Sequence, residues 1–227
     1  MAVRRSLISL ALALVAARCT DGIGPRQPLS PPHFLRWAGS SPPQFSAIGA
    51  RPGQVATAAL VGSADPGLRF ASLSLAEYTA TFWAVRGQQR SLQINYLSAT
   101  GDTSSRFLLV AITDPVYAPG QGNLAWGDSV LISVSVDPYN IKVSLQPTGL
   151  LFGDPAQMQI SYAGAGGDLN GDGVVDSTDA YIESHLLGMQ YRESAASVWA
   201  PIPATQSLAA KSFSTALPHF SEYAVSW

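Results

Sequence analysis

A period-two alternation of apolar and polar residues, repeated along most of the chain, constrains this sequence more than any other feature. Val130, Ile132, Val134 and Val136 alternate with Leu131, Ser133 and Ser135. After a turn at Asp137-Pro138-Tyr139-Asn140, with proline at its second position, Ile141, Val143 and Leu145 alternate with Lys142, Ser144 and Gln146. Ser91-Leu92-Gln93-Ile94-Asn95-Tyr96 follows the same rule, as do Met158, Ile160 and Tyr162 and the stretches ending at Leu217 and Trp227. Successive side chains of a strand point to opposite faces, so each run buries one face and wets the other. Runs of this kind spaced by turns are the pattern of an antiparallel sandwich. A single segment has helical spacing: Tyr181, Ile182, His185 and Leu186, with Gly188 placed as a C-cap.

Composition narrows the class further. Only 12% of the 227 residues are charged against 47% hydrophobic, whereas an average chain carries roughly 25% charge. Such a chain has enough apolar surface for a core and is not disordered by composition. A net charge of -2, with two lysines (Lys142 and Lys211), excludes an ordinary electrostatic nucleic-acid binder. One cysteine excludes an internal disulfide and any Cys-based zinc site. The fold class expected is all-β: one or more antiparallel immunoglobulin-like β-sandwiches with one short helix. Residues 44–127 read as β and form either a second small sandwich or the first strands of one larger sheet pair.

The N-terminus reads as an export signal. Arg4 and Arg5 precede an apolar run from Leu7 to Ala17, too short to span a bilayer, and Cys19 follows. Val15-Ala16-Ala17 suits cleavage after Ala17, while Ala16-Ala17-Arg18-Cys19 resembles a bacterial lipobox that would lipidate Cys19. In that motif Arg18 is a departure, since the position normally holds a small residue. Residues 20–43, with Pro28, Pro31, Pro32, Pro42 and Pro43, read as an extended linker or tether. The expected location is therefore outside the cell, free or held at the surface by lipid, with no other membrane contact.

One constellation carries chemistry. Residues 168–179 place oxygen donors at loop positions 1, 3, 5, 9 and 12, with glycine at position 6 where the chain must turn around an ion. Four of the chain's fifteen acids fall in these twelve residues, and a divalent cation relieves their mutual repulsion. The expected ligands of a Ca2+ cofactor are the Asp168, Asn170 and Asp172 side chains, the Val174 carbonyl, Asp176 directly or through water, and Asp179. Val175 is expected to point inward and anchor the loop, and the helix to begin just after Asp179.

Residues 168–188 resemble the repeat of dockerin modules, which also put Asp at position 12 and end the following helix in Leu-Leu-Gly, here Leu186-Leu187-Gly188. That resemblance implies a role for Ser177 and Thr178 in recognising a cohesin partner, although dockerins carry two repeats and this chain has one. Residues 128–227 resemble a bacterial ZU5-like β-sandwich. The likeness rests on the strand at 128–136, Leu145-Gln146-Pro147-Thr148-Gly149-Leu150 with Phe152, 155–162, 189–193, Trp199-Ala200-Pro201-Ile202-Pro203 and the closing 219–227. The calcium segment then lies in a connection between two strands. Some ZU5-containing proteins cleave themselves at a His-Phe-Ser, matched here by His219-Phe220-Ser221. The resemblance implies Ser221 as nucleophile and His219 as its base, against the alternative that Phe220 and Tyr223 are core.

No other catalytic set emerges: there is no Gly-x-Ser-x-Gly, phosphate loop or HExxH, and His33, His185 and His219 stand in unrelated contexts. Trp126 beside Gly127 and Trp199 beside Pro201 are either a carbohydrate platform or rim packing. The function expected is non-catalytic: an exported surface protein with a calcium-stabilised sandwich, structural or adhesive, binding a protein or polysaccharide partner and no nucleic acid. A dockerin-like module and a self-cleaving domain at Phe220-Ser221 are the alternatives.

Overall fold

The computed structural model describes residues 31–39, 43–49, 71–73, 78–97 and 103–227. The export segment, with Cys19, lies outside the described residues. In chain order the strands are β1 (Phe45–Gly49), β2 (Ala71–Leu73), β3 (Thr79–Val85), β4 (Arg90–Leu97), β5 (Thr103–Ile112), β6 (Pro115–Ala118), β7 (Gly122–Asn123) and β8 (Ser129–Val136). There follow β9 (Lys142–Gln146), β10 (Leu151–Ser161), β11 (Gly188–Arg192), β12 (Ala200–Pro201), β13 (Thr205–Ser207), β14 (Ser212–His219) and β15 (Glu222–Ser226). They form two antiparallel sheets. The larger runs β13-β14-β10-β5-β4-β1-β2, with β6 and β7 attached through β10, and the smaller runs β12-β11-β15-β9-β8-β3. The fold is an all-β sandwich with one short helix, as the alternation predicts.

The alternation is what closes the core. Val130, Ile132, Val134 and Val136 of β8 are all buried, while Leu131 between them is exposed. Leu92 and Ile94 of β4, Val110 and Ile112 of β5, and Met158 and Ile160 of β10 line the facing sheet and are equally buried. Each such aliphatic side chain contributes about 1.5–3 kcal/mol on burial. Strands from 44–127 and from 128–227 share both sheets: β3 pairs with β8 from Thr79↔Ser135 to Val85↔Ser129, and β5 pairs with β10. A boundary at 127/128 therefore separates no two cores.

The linker expectation for 20–43 needs correction at its C-terminal end. His33 and Trp227 exchange backbone hydrogen bonds of 3.0 and 3.1 Å, and the Leu35 N–H donates to the Val225 carbonyl at 3.0 Å. The Ile141 N–H donates in turn to Leu35 at 2.7 Å, so residues 33–37 form a strap between β15 and the turn before β9. Leu35 and Trp37 alternate with the exposed Arg36, a strand period hidden among prolines. The Trp37 ring packs edge-on against Phe107 (5.2 Å between centroids) and Phe45 (5.7 Å), and its Nε1–H donates to the Asp137 carbonyl at 2.8 Å.

The helix also differs from expectation. It begins at Ser177, two residues before Asp179, and runs as α1 (Ser177–Tyr181) into a π-type turn over Ile182–Leu186. Leu187 is extended and ends the turn, and Gly188 opens β11 opposite Ser226 instead of capping a helix. The chain must enter a strand at once, which leaves no room for a glycine cap. Trp37→Ala is expected to cost about 3–5 kcal/mol, read as a lower urea midpoint. A loss under about 1 kcal/mol would show that the strap is not part of the core.

Candidate metal centre

The acidic loop lies where the chain passes from one sheet to the other. β10 of the larger sheet ends at Ser161, buried Tyr162 follows, and β11 of the smaller sheet begins at Gly188. Leu169, Asp179, Ile182 and Leu187 are buried and hold the crossing to the core. The Trp227 Nε1–H donates to the Leu169 carbonyl at 3.4 Å.

Within the loop each carboxylate folds the backbone around itself. Asp168 Oδ1 accepts from the Gly171 N–H at 2.7 Å and the Asp172 N–H at 3.2 Å, and its Oδ2 accepts from the Gly173 N–H at 2.8 Å. Gly171 and Gly173 hold φ of 78° and 88°, a left-handed region that side chains rarely enter. Asn170 Oδ1 accepts from the Asp172 N–H and its amide donates to Asp172 Oδ2, both at 2.9 Å. Asp172 Oδ1 accepts from the Val174 N–H at 2.9 Å.

Asp176 and Asp179 close the loop as a capping box. Asp176 is the helix N-cap and accepts from the Thr178 N–H at 2.7 Å. Asp179 Oδ2 accepts from the Asp176 N–H at 3.0 Å, and its Oδ1 accepts from Leu169 at 2.7 Å and Asn170 at 3.2 Å. Position 12 is thereby tied to positions 2 and 3 across the loop. The Asp176 amide bond, with those from Leu169 and Asn170, holds the Asp179 carboxyl below its ordinary range against the opposing effect of burial.

The donors are all hard oxygens, the set a calcium ion takes. A carboxylate offers about four lone-pair sites, so oxygens that accept amides keep capacity for a cation. None of the loop's four acids is paired with a lysine or arginine among the described residues. The side chains themselves are not gathered on one point: no cluster of three His, Cys, Asp or Glu placed to hold a metal occurs among the described residues. Asp168, Asn170 and Asp172 are linked to one another through side chains and amides, and Asp176 to Asp179. The donor chemistry fits a hard cation, while the carboxylates here serve backbone amides. Val175 departs from expectation. It is 69% exposed and packs over Gly167, where an added Cβ would lie 3.0 Å from its methyl group.

A cleft of about 570 Å³ beside the loop is walled by Tyr139, Arg36 and Trp37 on one side and Asp168 and Val175 on the other. In the sequence Tyr139 reads as a turn residue and Arg36 as part of a linker; the apolar alternation of Leu35 and Trp37 is the signal for that strap. At His219-Phe220-Ser221, Phe220 and Ser221 are buried, and the Gly149 N–H holds the Phe220 carbonyl at 2.9 Å. Among the described residues no hydrogen bond joins the buried His219 Nδ1 to the buried Ser221 Oγ. His219 Nε2 faces Glu193 at 3.4 Å, and Tyr223, its phenol pushed up to about 12 by burial, donates to the His219 carbonyl at 2.6 Å. Trp199 packs as rim, its ring under Arg192 and edge-on to Phe34. Trp126 does not: it is 73% exposed. Among the described residues no helix is long and apolar enough to cross a membrane.

Compared with protein families, with curated proteins and with solved structures, the chain matches none.

Because Asp179 is held below its unfolded value of 3.8, its ionised form contributes stability that is complete above that value. The contribution is lost as pH falls through the lower folded value. Asp179→Asn is therefore expected to flatten the acid limb of the stability–pH curve in chelator. An unchanged acid limb would remove Asp179 from the account.

Proposed function

We propose that residues 168–179 bind one calcium ion and that the protein is a non-catalytic, exported module whose sandwich this ion stiffens for a structural or adhesive role at the cell surface. The observation that carries the reading is the loop itself. Oxygen donors stand at positions 1, 3, 5, 9 and 12 with the Val174 carbonyl at 7, and the chain turns at Gly171 and Gly173 with positive φ. Asp168, Asn170, Asp172, Val174, Asp176 and Asp179 would hold the ion. When bound, it supplies positive charge to four carboxylates that no basic side chain among the described residues neutralises. Asp168 and Asp179 already set the loop's curvature through backbone amides, so the ion adds to an arrangement partly made. Export rests on the N-terminal signal and its Cys19, and extracellular calcium suits a weak site.

A ligand that binds only the folded state stabilises by about 2.7 kcal/mol at a hundredfold excess over its Kd. For a chain of this size that corresponds to a rise in Tm of roughly 5–10 °C. The rise is expected in wild type and absent in Asp168→Ala and Asp179→Ala, each compared with its own value in chelator. Equal melting curves with calcium and with EDTA overturn the reading.

A second reading is favoured by what the segment leaves uncovered. Ser177 and Thr178 are exposed, and so are Val174, Val175, Tyr181 and Leu186 beside them. Contiguous apolar exposure of this kind suits a partner surface, which is the dockerin-like alternative with a cohesin. Cohesin capture abolished by Ser177→Ala with Thr178→Ala supports it; capture indifferent to both counts against it. Self-cleavage at Phe220-Ser221 would release residues 221–227 on denaturation. The non-catalytic reading expects the intact mass across that bond.

A further inference from the structure

We infer that the outward face of β3 and β8, from Thr79 to the Trp126 indole at its end, is a binding surface for a neutral, linear glycan. This deepens the adhesive reading by naming a ligand, and it uses no residue of the calcium loop.

The first observation is an exposed ring braced from beneath. Trp126 is 73% exposed, and its covered part lies flat on Gly87, where any Cβ would overlap the six-membered ring of the indole. Gly87 also holds φ of 82°, so only glycine suits both demands. The Arg86 guanidinium lies 5.2 Å from the ring centroid and is itself fixed, bonded to Asp114 at 3.1 Å and to the Leu124 carbonyl. The backbone on either side is pinned too. The Gly127 N–H donates to Arg86 at 3.1 Å, and Asp128 Oδ2 accepts from the Ala125 N–H at 2.7 Å. A large apolar ring held rigid in water loses little entropy when a flat partner stacks on it.

The second observation is the chemistry along the adjoining edge. Among the described residues β3 is the last strand of its sheet. The outward positions of β3 and β8 carry Thr79, Thr81, Trp83, Leu131, Ser133 and Ser135, and no charge. Trp83 stands opposite Leu131, at 37% and 47% exposure, and the Thr79 and Ser135 hydroxyls are 2.9 Å apart. Hydroxyls interleaved with aromatic faces match a pyranose, which offers C–H groups on its faces and hydroxyls at its rim. Of the nearby arginines, Arg86 is paired with Asp114 and Arg90 bonds to Gln88, so the outward positions among the described residues present no unpaired cation to a phosphate backbone or anionic lipid. Gly87 is four residues beyond Trp83, which puts the two aromatic sites at most roughly 14 Å apart along the chain. That span takes several linked sugars, which is why the ligand is a chain and not a monosaccharide.

The test is an NMR titration of the full chain, following the indole N–H signals of the five tryptophans. The probes are cellohexaose, chitohexaose and xylohexaose, each in calcium and in EDTA. At least one glycan is expected to shift the Trp126 and Trp83 signals. Trp126→Ala is expected to weaken that binding about tenfold or more, and Trp199→Ala to leave it unchanged. Since Trp126 is mostly exposed, its removal leaves the core intact, and the wild-type shifts stand independently of any variant. Failure of all three glycans to move the Trp126 signal overturns the inference, as does wild-type affinity in Trp126→Ala. Self-association that Trp126→Ala abolishes, without any glycan shift, assigns the edge to a second copy instead. Binding that persists in EDTA while melting is calcium-independent upholds the glycan site and removes the calcium reading alone.

Discussion

The Trp37 indole is the contact that makes one body out of two sheets. Its ring is packed by Phe45, Tyr96 and Phe107, which belong to β1, β4 and β5 of the larger sheet. Its N–H reaches the Asp137 carbonyl, just past the end of β8 in the smaller one. An apolar body and a single donor thus satisfy two surfaces at once, which few other side chains can do. The approach is close enough to dictate a third element: a Cβ on Gly164 would come within 3.0 Å of both the Trp37 ring and the Tyr96 hydroxyl. Gly164 precedes the acidic loop by four residues, so the path by which the chain enters the loop is set by the same wedge.

That link explains why the loop is ordered by local means as well as by any ion. The crossing from β10 to β11 carries four carboxylates, and an acidic segment left to itself would spread. Asp168 and Asp179 counter this by spending both oxygens on amides, and Leu169 and Ile182 anchor the ends in the core. The fold and the proposed cation draw on the same oxygens. Asp179 shows the overlap most clearly, since it is capping-box residue, cross-loop tie and the proposed ligand at loop position 12. Removing it perturbs the apo loop too, and only the difference between calcium and chelator isolates what an ion contributes.

The sequence declares what depends on short-range periodicity. Alternation in β8, β9 and β10 places the buried residues correctly because a strand's facing depends only on parity. The donor register of 168–179 is equally local. What the sequence conceals depends on distant partners. Leu35 and Trp37 alternate over too few residues to stand out beside Pro31, Pro32, Pro42 and Pro43, and their hydrogen bonds go to Val225 and Tyr139. Val175 has the right type for an inward anchor, but it is mostly exposed and rests against Gly167. The helical spacing of Tyr181 to Leu186 is real, yet the pull of β11 converts its second turn to the wider π form. Trp126 gives no sign in its neighbours that its ring stays in water, because Gly87, its support, is remote in sequence.

Scarcity of charge acquires a spatial meaning from these elements. Edge strands are usually guarded by charged side chains that discourage pairing with other chains. β3 lacks that guard on its outward face, where threonine and tryptophan stand in place of lysine. Nearby charges are engaged locally: Arg86 pairs with Asp114 and lies over the Trp126 ring, and Asp128 accepts from the Ala125 N–H. Four of the fifteen acids stand in the crossing loop at 168–179, which joins β10 to β11 and lies outside β3. An edge left neutral, hydroxylated and aromatic is tolerable only if its ring is fixed and its exposed apolar area stays small. The same two conditions are what a rigid platform for an uncharged polymer requires.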